Sequence, residues 1–303
     1  MLRIASLYPP ATEIAFSVGA GEQVVGVSHA CDHPPEAKER KAVTQARFNA
    51  DGLSSREIYN LKVELNQKFG SLFRLSETAL WGARANVLLT QGPADFSVVS
   101  LQGIKAIAEG LTPRPQVLAL YPRHLDDVLE DHTRVGFTVG RLQEARERVE
   151  ELRERIARVT REVRAPRRLR VAFIQWLDPC FSGGYWIPQL VEIAGGTDVL
   201  NIAGVSPSPV GLTELRRQNP EVIVVACEDL GIDRVKQEMS LLTRRPGWRH
   251  LAAVRSARVF VGDGPCFTRT GPRVVDALEA LAWAICPQSF PPPPPGVLEL
   301  YRV

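Results

Sequence analysis

Short apolar runs alternate with longer amphipathic stretches along the first part of the chain. Residues 3–7 (RIASL), 23–28 (QVVGVS), 86–90 (NVLLT) and 116–120 (QVLAL) are continuous apolar segments of strand length. Runs of that kind are expected where strands are buried on both faces of a parallel sheet. Between them, 11–18 (ATEIAFSV) and 55–69 (SREIYNLKVELNQKF) have helical spacing, the second opened by Ser54 or Ser55 as N-cap. Such alternation predicts βαβ units with helices on both faces of a sheet.

A different texture follows at 141–164. Apolar residues at Leu142, Ala145, Val149, Leu152, Ile156, Val159 and Val163 make one stripe with no Gly or Pro inside. The spacing predicts one long helix lying across a domain body, ended by RAPRR at 164–168. Strands are then predicted at 169–176, 221–227 and 257–263, with helices around 186–194, 231–243 and 272–285. The closing SFPPPPPG reads as an extended polyproline spacer with nothing left to fold after it. The predicted fold is α/β: two Rossmann-like lobes with central parallel sheets, 1–123 and 165–290. A single long connecting helix within 124–164 joins them, and a Pro-rich tail occupies 291–303.

The 303 residues are 45% hydrophobic and 23% charged, as in soluble globular proteins. A net charge of +3, with arginines interspersed among glutamates, argues against a nucleic-acid surface. No apolar run is long enough to cross a bilayer, and a monomer is expected. MLRIASLYPP enters a strand almost at once and lacks the parts of a secretory signal. The location expected from the chain as written is cytoplasmic, or periplasmic or cell-surface if the N-terminus is truncated. Five cysteines, an odd number, fit a reducing compartment.

In open parallel sheets, ligands bind beyond the carboxyl ends of the strands. Those positions hold Tyr8, then His29, Cys31, Asp32 and His33, then Gln91, Asp95 and Phe96 in the first lobe. In the second they hold Trp176, Asp178, Cys180, Phe181, Tyr185, Trp186, Cys227, Glu228, Asp229, Asp263, Cys266, Phe267 and Arg269. Trp176, Phe181, Tyr185 and Trp186 surround a Gly-Gly turn where a core would use aliphatics. One aromatic side chain buries roughly 150–250 Å², worth about 4–6 kcal/mol if fully covered. Binding must first offset roughly 4–15 kcal/mol of lost freedom. Several partly stacked rings would therefore hold a large flat ligand where one would not.

The stretches RIASLYPPATEIAFSVGAGEQVVGVSHACDHPPEAK, VTQARF, SREI, LLTQG, WLDPCFSGGYWIPQLVEIAGG, RRPGWRHLAAVRSARVFVGD and TRTGPRVVDALEALA occur in order between about residues 2 and 286. Together they resemble the helical-backbone (class III) periplasmic-type substrate-binding proteins of ABC transporters, in their cobalamin-binding branch. The resemblance implies two α/β lobes joined by a long helix, limited hinge motion, and a corrin ring clamped between aromatics. It places Trp176, Phe181, Tyr185, Trp186, Asp263 and Phe267 at ligand contacts, facing His29 to His33, Phe48 and Gln91. Asp178, Glu228 and Asp263 are expected to orient the polar edge of a cobalamin ligand. Docking to a permease would use Glu214 in the second lobe, with Asp95 as the candidate in the first; without a secretory signal, cytosolic carriage or sensing of the ligand is the expected alternative to uptake.

Two other readings stand beside this one. His29-x-Cys31-x-His33 has strand-like spacing that puts three metal-ligating groups on one side. Cys31, Cys180, Cys227 and Cys266 all fall at predicted strand ends, whereas Cys286 ends the last helix. Four converging thiolates would suit zinc or an iron–sulfur cluster. An enzyme is disfavoured: the chain has no P-loop, no H-E-x-x-H and no G-x-S-x-G, and the glycines of VGAGEQVVG do not follow a strand.

Overall fold

In the computed structural model, which describes residues 2–93, 99–164 and 167–302, the described part of the first 120 residues builds ten strands and α-helices. They are β1 (Ile4–Ser6), α1 (Pro9–Ser17), β2 (Val24–Val27), β3 (Thr44–Ala46), α2 (Ser55–Phe69), β4 (Phe73–Leu75), α3 (Glu77–Ala83), β5 (Val87–Gln91), α4 (Leu101–Gly110) and β6 (Gln116–Leu120). The four long apolar runs become a parallel sheet of order β2-β1-β5-β6. Strands β3 and β4 pair antiparallel in a separate ribbon that carries α2 between them. Helix α2 starts at a capping box: Ser54 accepts from the Glu57 amide while the Glu57 carboxylate takes the Ser54 amide.

Next come α5 (Leu125–Thr138) and α6 (Leu142–Glu162), then β7 (Leu169–Trp176), β8 (Phe181–Ser182), α7 (Ile187–Ile193), β9 (Gly196–Asp198), α8 (Leu212–Gln218) and β10 (Val222–Val225). The rest is α9 (Ile232–Glu238), α10 (Ser240–Thr243), α11 (Ala252–Arg255), β11 (Val259–Gly262), α12 (Gly264–Thr268), α13 (Val274–Ile285) and β12 (Leu298–Leu300). Strands β7, β10 and β11 form the parallel centre of the second sheet, with β8 antiparallel and β9 parallel to β7.

Two expectations change. The segment 124–164 holds two helices, because the chain reverses at Val139–Arg141 with Gly140 in the left-handed region (φ +71°). Leu125, Val128 and Leu129 of α5 pack in the second-lobe core, and Val135 and Val139 in that of the first. Helix α6 runs the opposite way, with Ala145 in the first-lobe core and Val149, Leu152 and Val159 in the second. The lobes are therefore joined by an antiparallel helix pair. It packs closely at Gly136, where a Cβ would lie 2.2 Å from that of Ala145.

The chain after the prolines also folds. Residues Leu298–Leu300 add β12 antiparallel to β11, held further by a Tyr301 amide bond to the Val259 carbonyl (2.8 Å) and a Lys236–Glu299 ion pair.

Candidate functional site

A cleft opens between the lobes where the strand ends of both sheets face each other. It encloses about 1050 Å³, counting the part open to solvent. Tyr8 follows β1, Gln91 ends β5, and Tyr121 and Pro122 follow β6; Gln175 and Trp176 end β7, and Glu228 follows β10. Phe181, Tyr185 and Trp186 come from the turn around β8, and Thr268 and Thr270 from the end of α12.

The aromatic wall is braced from behind. Only 6% of Trp176 and 7% of Trp186 is exposed. The Trp176 indole donates to the carbonyls of Ser55 (3.2 Å) and Asp178 (3.1 Å), and that of Trp186 to the Phe267 carbonyl (3.1 Å). Each ring therefore lines the cleft with its polar edge satisfied. Tyr185 stacks on Trp186 with centroids 6.0 Å apart and an interplanar angle of 18°. Its backbone sits at φ +55°, an uncommon conformation for a side chain of this size, and its amide bonds the Val205 carbonyl (2.7 Å). Phe181 meets Tyr59 of α2 at 5.6 Å.

The predicted acidic tips behave differently from expectation. Asp178 pairs with Arg56 of α2, Glu228 with Lys62 of α2 (2.9 Å), and Asp32 with Arg269 of the second lobe. Asp263 caps α12 through the Cys266 amide (3.2 Å), with burial holding its carboxyl above the usual range. Asp178, Asp32 and Asp263 are thereby taken out of the cavity lining, whereas Glu228 remains in it. For Asp178, Glu228 and Asp32 the reason is distance in sequence, since each partner lies on an element that only the tertiary fold brings near; the Asp263 cap is local, three residues away.

Helix α2 is what closes this side. Its Ser55 amide bonds the Glu238 carboxylate (3.0 Å), and Arg234, itself paired with Glu238, reaches the Leu53 carbonyl. Ile58 sits in the second-lobe core, with Phe48 and Leu53 packed against that core. Phe48, predicted to meet ligand, is thus part of this docking and does not line the cavity. Deeper between the lobes, Glu13 of α1, with 1% of its side chain exposed, takes a bidentate pair from Arg273 (2.6 and 3.0 Å) and lies 3.7 Å from Arg269.

The loop after β2 is structural. His29 bonds Thr44 through Nδ1 (2.7 Å) and meets Phe73 edge-on at 4.4 Å, and the Cys31 sulfur lies 3.1 Å from the Thr12 hydroxyl. Neither His29 nor His33 lines the cavity. Phe267 is fully buried against Phe173 and is likewise removed from it.

The cysteines do not converge as a metal site would require. Cys31 lies in the first-lobe core, Cys180 and Cys227 in one core of the second lobe, and Cys266 in the other. Burial pushes the thiols of Cys31 and Cys180 up to about 11, and those of Cys227 and Cys266 higher still, so all stay protonated. Among the described residues no group of three or more His, Cys, Asp or Glu could hold a metal ion. The zinc and iron–sulfur readings fall with that geometry.

Tyr59, Lys62, Tyr121, Gln175, Thr268 and Thr270 line the cavity without having been singled out by the sequence. Tyr121 and Gln175 were within reach of the strand-end rule; Tyr59 and Lys62 were not, because α2 lies outside the sheet. Tyr8 is buried enough that its phenol is held well above the usual range. Glu214, at the start of α8, is bound by Arg217 and Gln218, which hold its carboxyl low. Asp95 lies outside the described residues.

Two lobes, a rigid connection and an aromatic cleft define a protein that captures a small molecule. The chain belongs to the periplasmic binding protein family, whose pattern matches residues 98–265. It resembles the ABC transporter substrate-binding lipoprotein YvrC of Bacillus subtilis, 26% identical over 294 residues, covering 95% of this chain and 81% of that protein. The vitamin B12-binding protein of Pectobacterium carotovorum is 25% identical over 282 residues, covering 92% and 86%. Among solved structures, the periplasmic heme-binding protein RhuT from Roseiflexus sp. RS-1 superposes with a TM-score of 0.70 at 22% identity, covering 95% and 99%. The periplasmic vitamin B12-binding protein BtuF of Vibrio cholerae gives 0.65 at 17%, covering 93% and 96%. At such identities these structures establish the fold alone.

The protein is thus a member of a family of ligand carriers rather than enzymes. Relatives described as lipoprotein or periplasmic give the cytoplasmic expectation no support. Among the described residues no helix is long and apolar enough to cross a membrane.

Proposed function

We propose that the protein binds cobalamin or a related corrinoid as a monomer, between its lobes, and presents it to an ABC permease. The observation that carries this reading is the chemistry of the cavity lining. Flat rings of Trp176, Phe181, Tyr185 and Trp186 offer stacking surface, and Gln91, Gln175, Thr268 and Thr270 offer uncharged hydrogen-bonding groups. A corrin with a fringe of amides matches such a surface. The relatives named as vitamin B12-binding proteins support the same choice.

Haem fits less well. Its two carboxylates would face one lysine that already has a partner. For docking, Glu214 is the second-lobe contact in this proposal and Asp95 its first-lobe counterpart.

Titration with cyanocobalamin, followed by equilibrium dialysis and the visible corrin band, tests the reading. One saturable site is expected, weakened at least about tenfold by Phe181→Ala combined with Tyr185→Ala. These two rings are chosen because Trp176 and Trp186 also brace the fold. Absence of saturable binding, or a double variant that binds as well as wild type, would contradict it.

A further inference from the structure

Within that cavity, and resting on the corrinoid reading, we propose that the Lys62–Glu228 pair selects ligand by charge. It admits flat molecules with neutral amide edges and turns away those with carboxylates. Among the described residues that line the cavity, these two carry the charge, and they come from opposite lobes. Lys62 has 12% of its side chain exposed and lies over the Trp176 ring at 4.9 Å, so it stands on the aromatic wall itself. Burial alone would drag its ammonium down, yet the attraction of Glu228 and Asp229 outweighs burial and keeps it charged. The neighbouring charges are already committed: Asp229 and Asp32 to Arg269, and Asp178 to Arg56.

A neutral amide can donate to Glu228 and accept from Lys62 without parting them. A carboxylate has two choices, both costly. It sits beside Glu228 against like charge, or it takes Lys62 and leaves Glu228 unpaired in a partly desolvated site. The pair also ties α2 to the second lobe, so a ligand that breaks it loosens one contact that closes the cleft over it.

The separable consequence concerns selectivity, read as the ratio of haemin affinity to cyanocobalamin affinity. Glu228→Gln leaves Lys62 free and should raise that ratio about tenfold; Lys62→Gln leaves a lone carboxylate and should lower it by a similar factor. The double variant, neutral at both positions, should fall between the two, and near-ultraviolet circular dichroism checks that each variant keeps the wild-type fold. Wild type that binds cyanocobalamin while both single variants stay within about threefold of its ratio overturns the charge selection alone. Wild type that takes up neither compound, or prefers haemin, overturns the corrinoid reading and the selection with it.

Discussion

The two lobes meet along two seams of opposite character. At the back, α5 and α6 thread apolar side chains into both cores, and Gly136 lets the helices approach almost backbone to backbone. At the front, α2 seats Ile58 in the second-lobe core but is otherwise held there by Arg56–Asp178, Lys62–Glu228 and the Ser55–Glu238–Arg234 contacts. An apolar seam is non-directional and additive over area; a polar one depends on geometry, salt and partners. The back seam therefore sets the stability of the molecule, and the front seam sets how readily the cleft opens. The connection expected from the sequence was one rod; a braced pair of helices resists bending more.

The largest effect should follow from breaking the back seam. Leu152→Ala removes a fully buried side chain of α6 and should cost about 2–5 kcal/mol in denaturant unfolding, with both lobes lost together. A cost below about 1 kcal/mol would mean that the helix pair does not unite the cores.

Acid should probe the same seam next. Burial holds the His132 imidazole down to about 4, against an ordinary 6.5, while Nδ1 donates to the Val128 carbonyl. In the unfolded chain it takes a proton near 6.5 that the folded protein refuses until about 4. Its contribution is present above 6.5 and is lost as pH falls toward 4. Asp131, raised to about 6 by burial, acts in the opposite sense, its contribution fading as pH rises through 6. The difference between wild type and His132→Leu isolates the histidine. Wild type should lose about 3 kcal/mol relative to the variant on acidification across this window; parallel stability curves would refute the assignment.

At the front, Glu238→Ala strips the Ser55 amide and Arg234 of their shared partner. The expected cost is about 1 kcal/mol in global stability, accompanied by a clear rise in hydrogen exchange along α2. A global loss as large as that of Leu152→Ala would erase the distinction between the seams. The smallest change should come from Arg56→Ala, whose half-exposed ion pair is worth under about 1 kcal/mol and weakens further in salt.

Much of the architecture could be read from pattern alone because it is local. Strands β1, β2, β5, β6, β7, β10 and β11, the Ser54 cap and the aromatic turn near Gly183 and Gly184 follow from short-range propensity and burial. Three things could not. Gly140 breaks the connecting helix with a single left-handed residue just before the apolar stripe begins. The strand after the polyproline run exists only because β11 offers an open edge. Above all, the carboxylates at the strand ends look like ligand contacts until their partners are known, and Arg56 lies 122 residues from Asp178 in sequence. A charged residue at a cleft announces that it must be satisfied, without saying by whom. Phe267 shows the converse, an aromatic at the right strand end that turned into the core.

The most direct measurement is hydrogen exchange of the whole protein with and without saturating cyanocobalamin. Slower exchange is expected in two separated segments at once, α2 (Ser55–Phe69) and the turn through Phe181–Trp186, with the α5–α6 pair unchanged. Protection confined to one of those segments, or none in either, would contradict a ligand held between the lobes beneath α2.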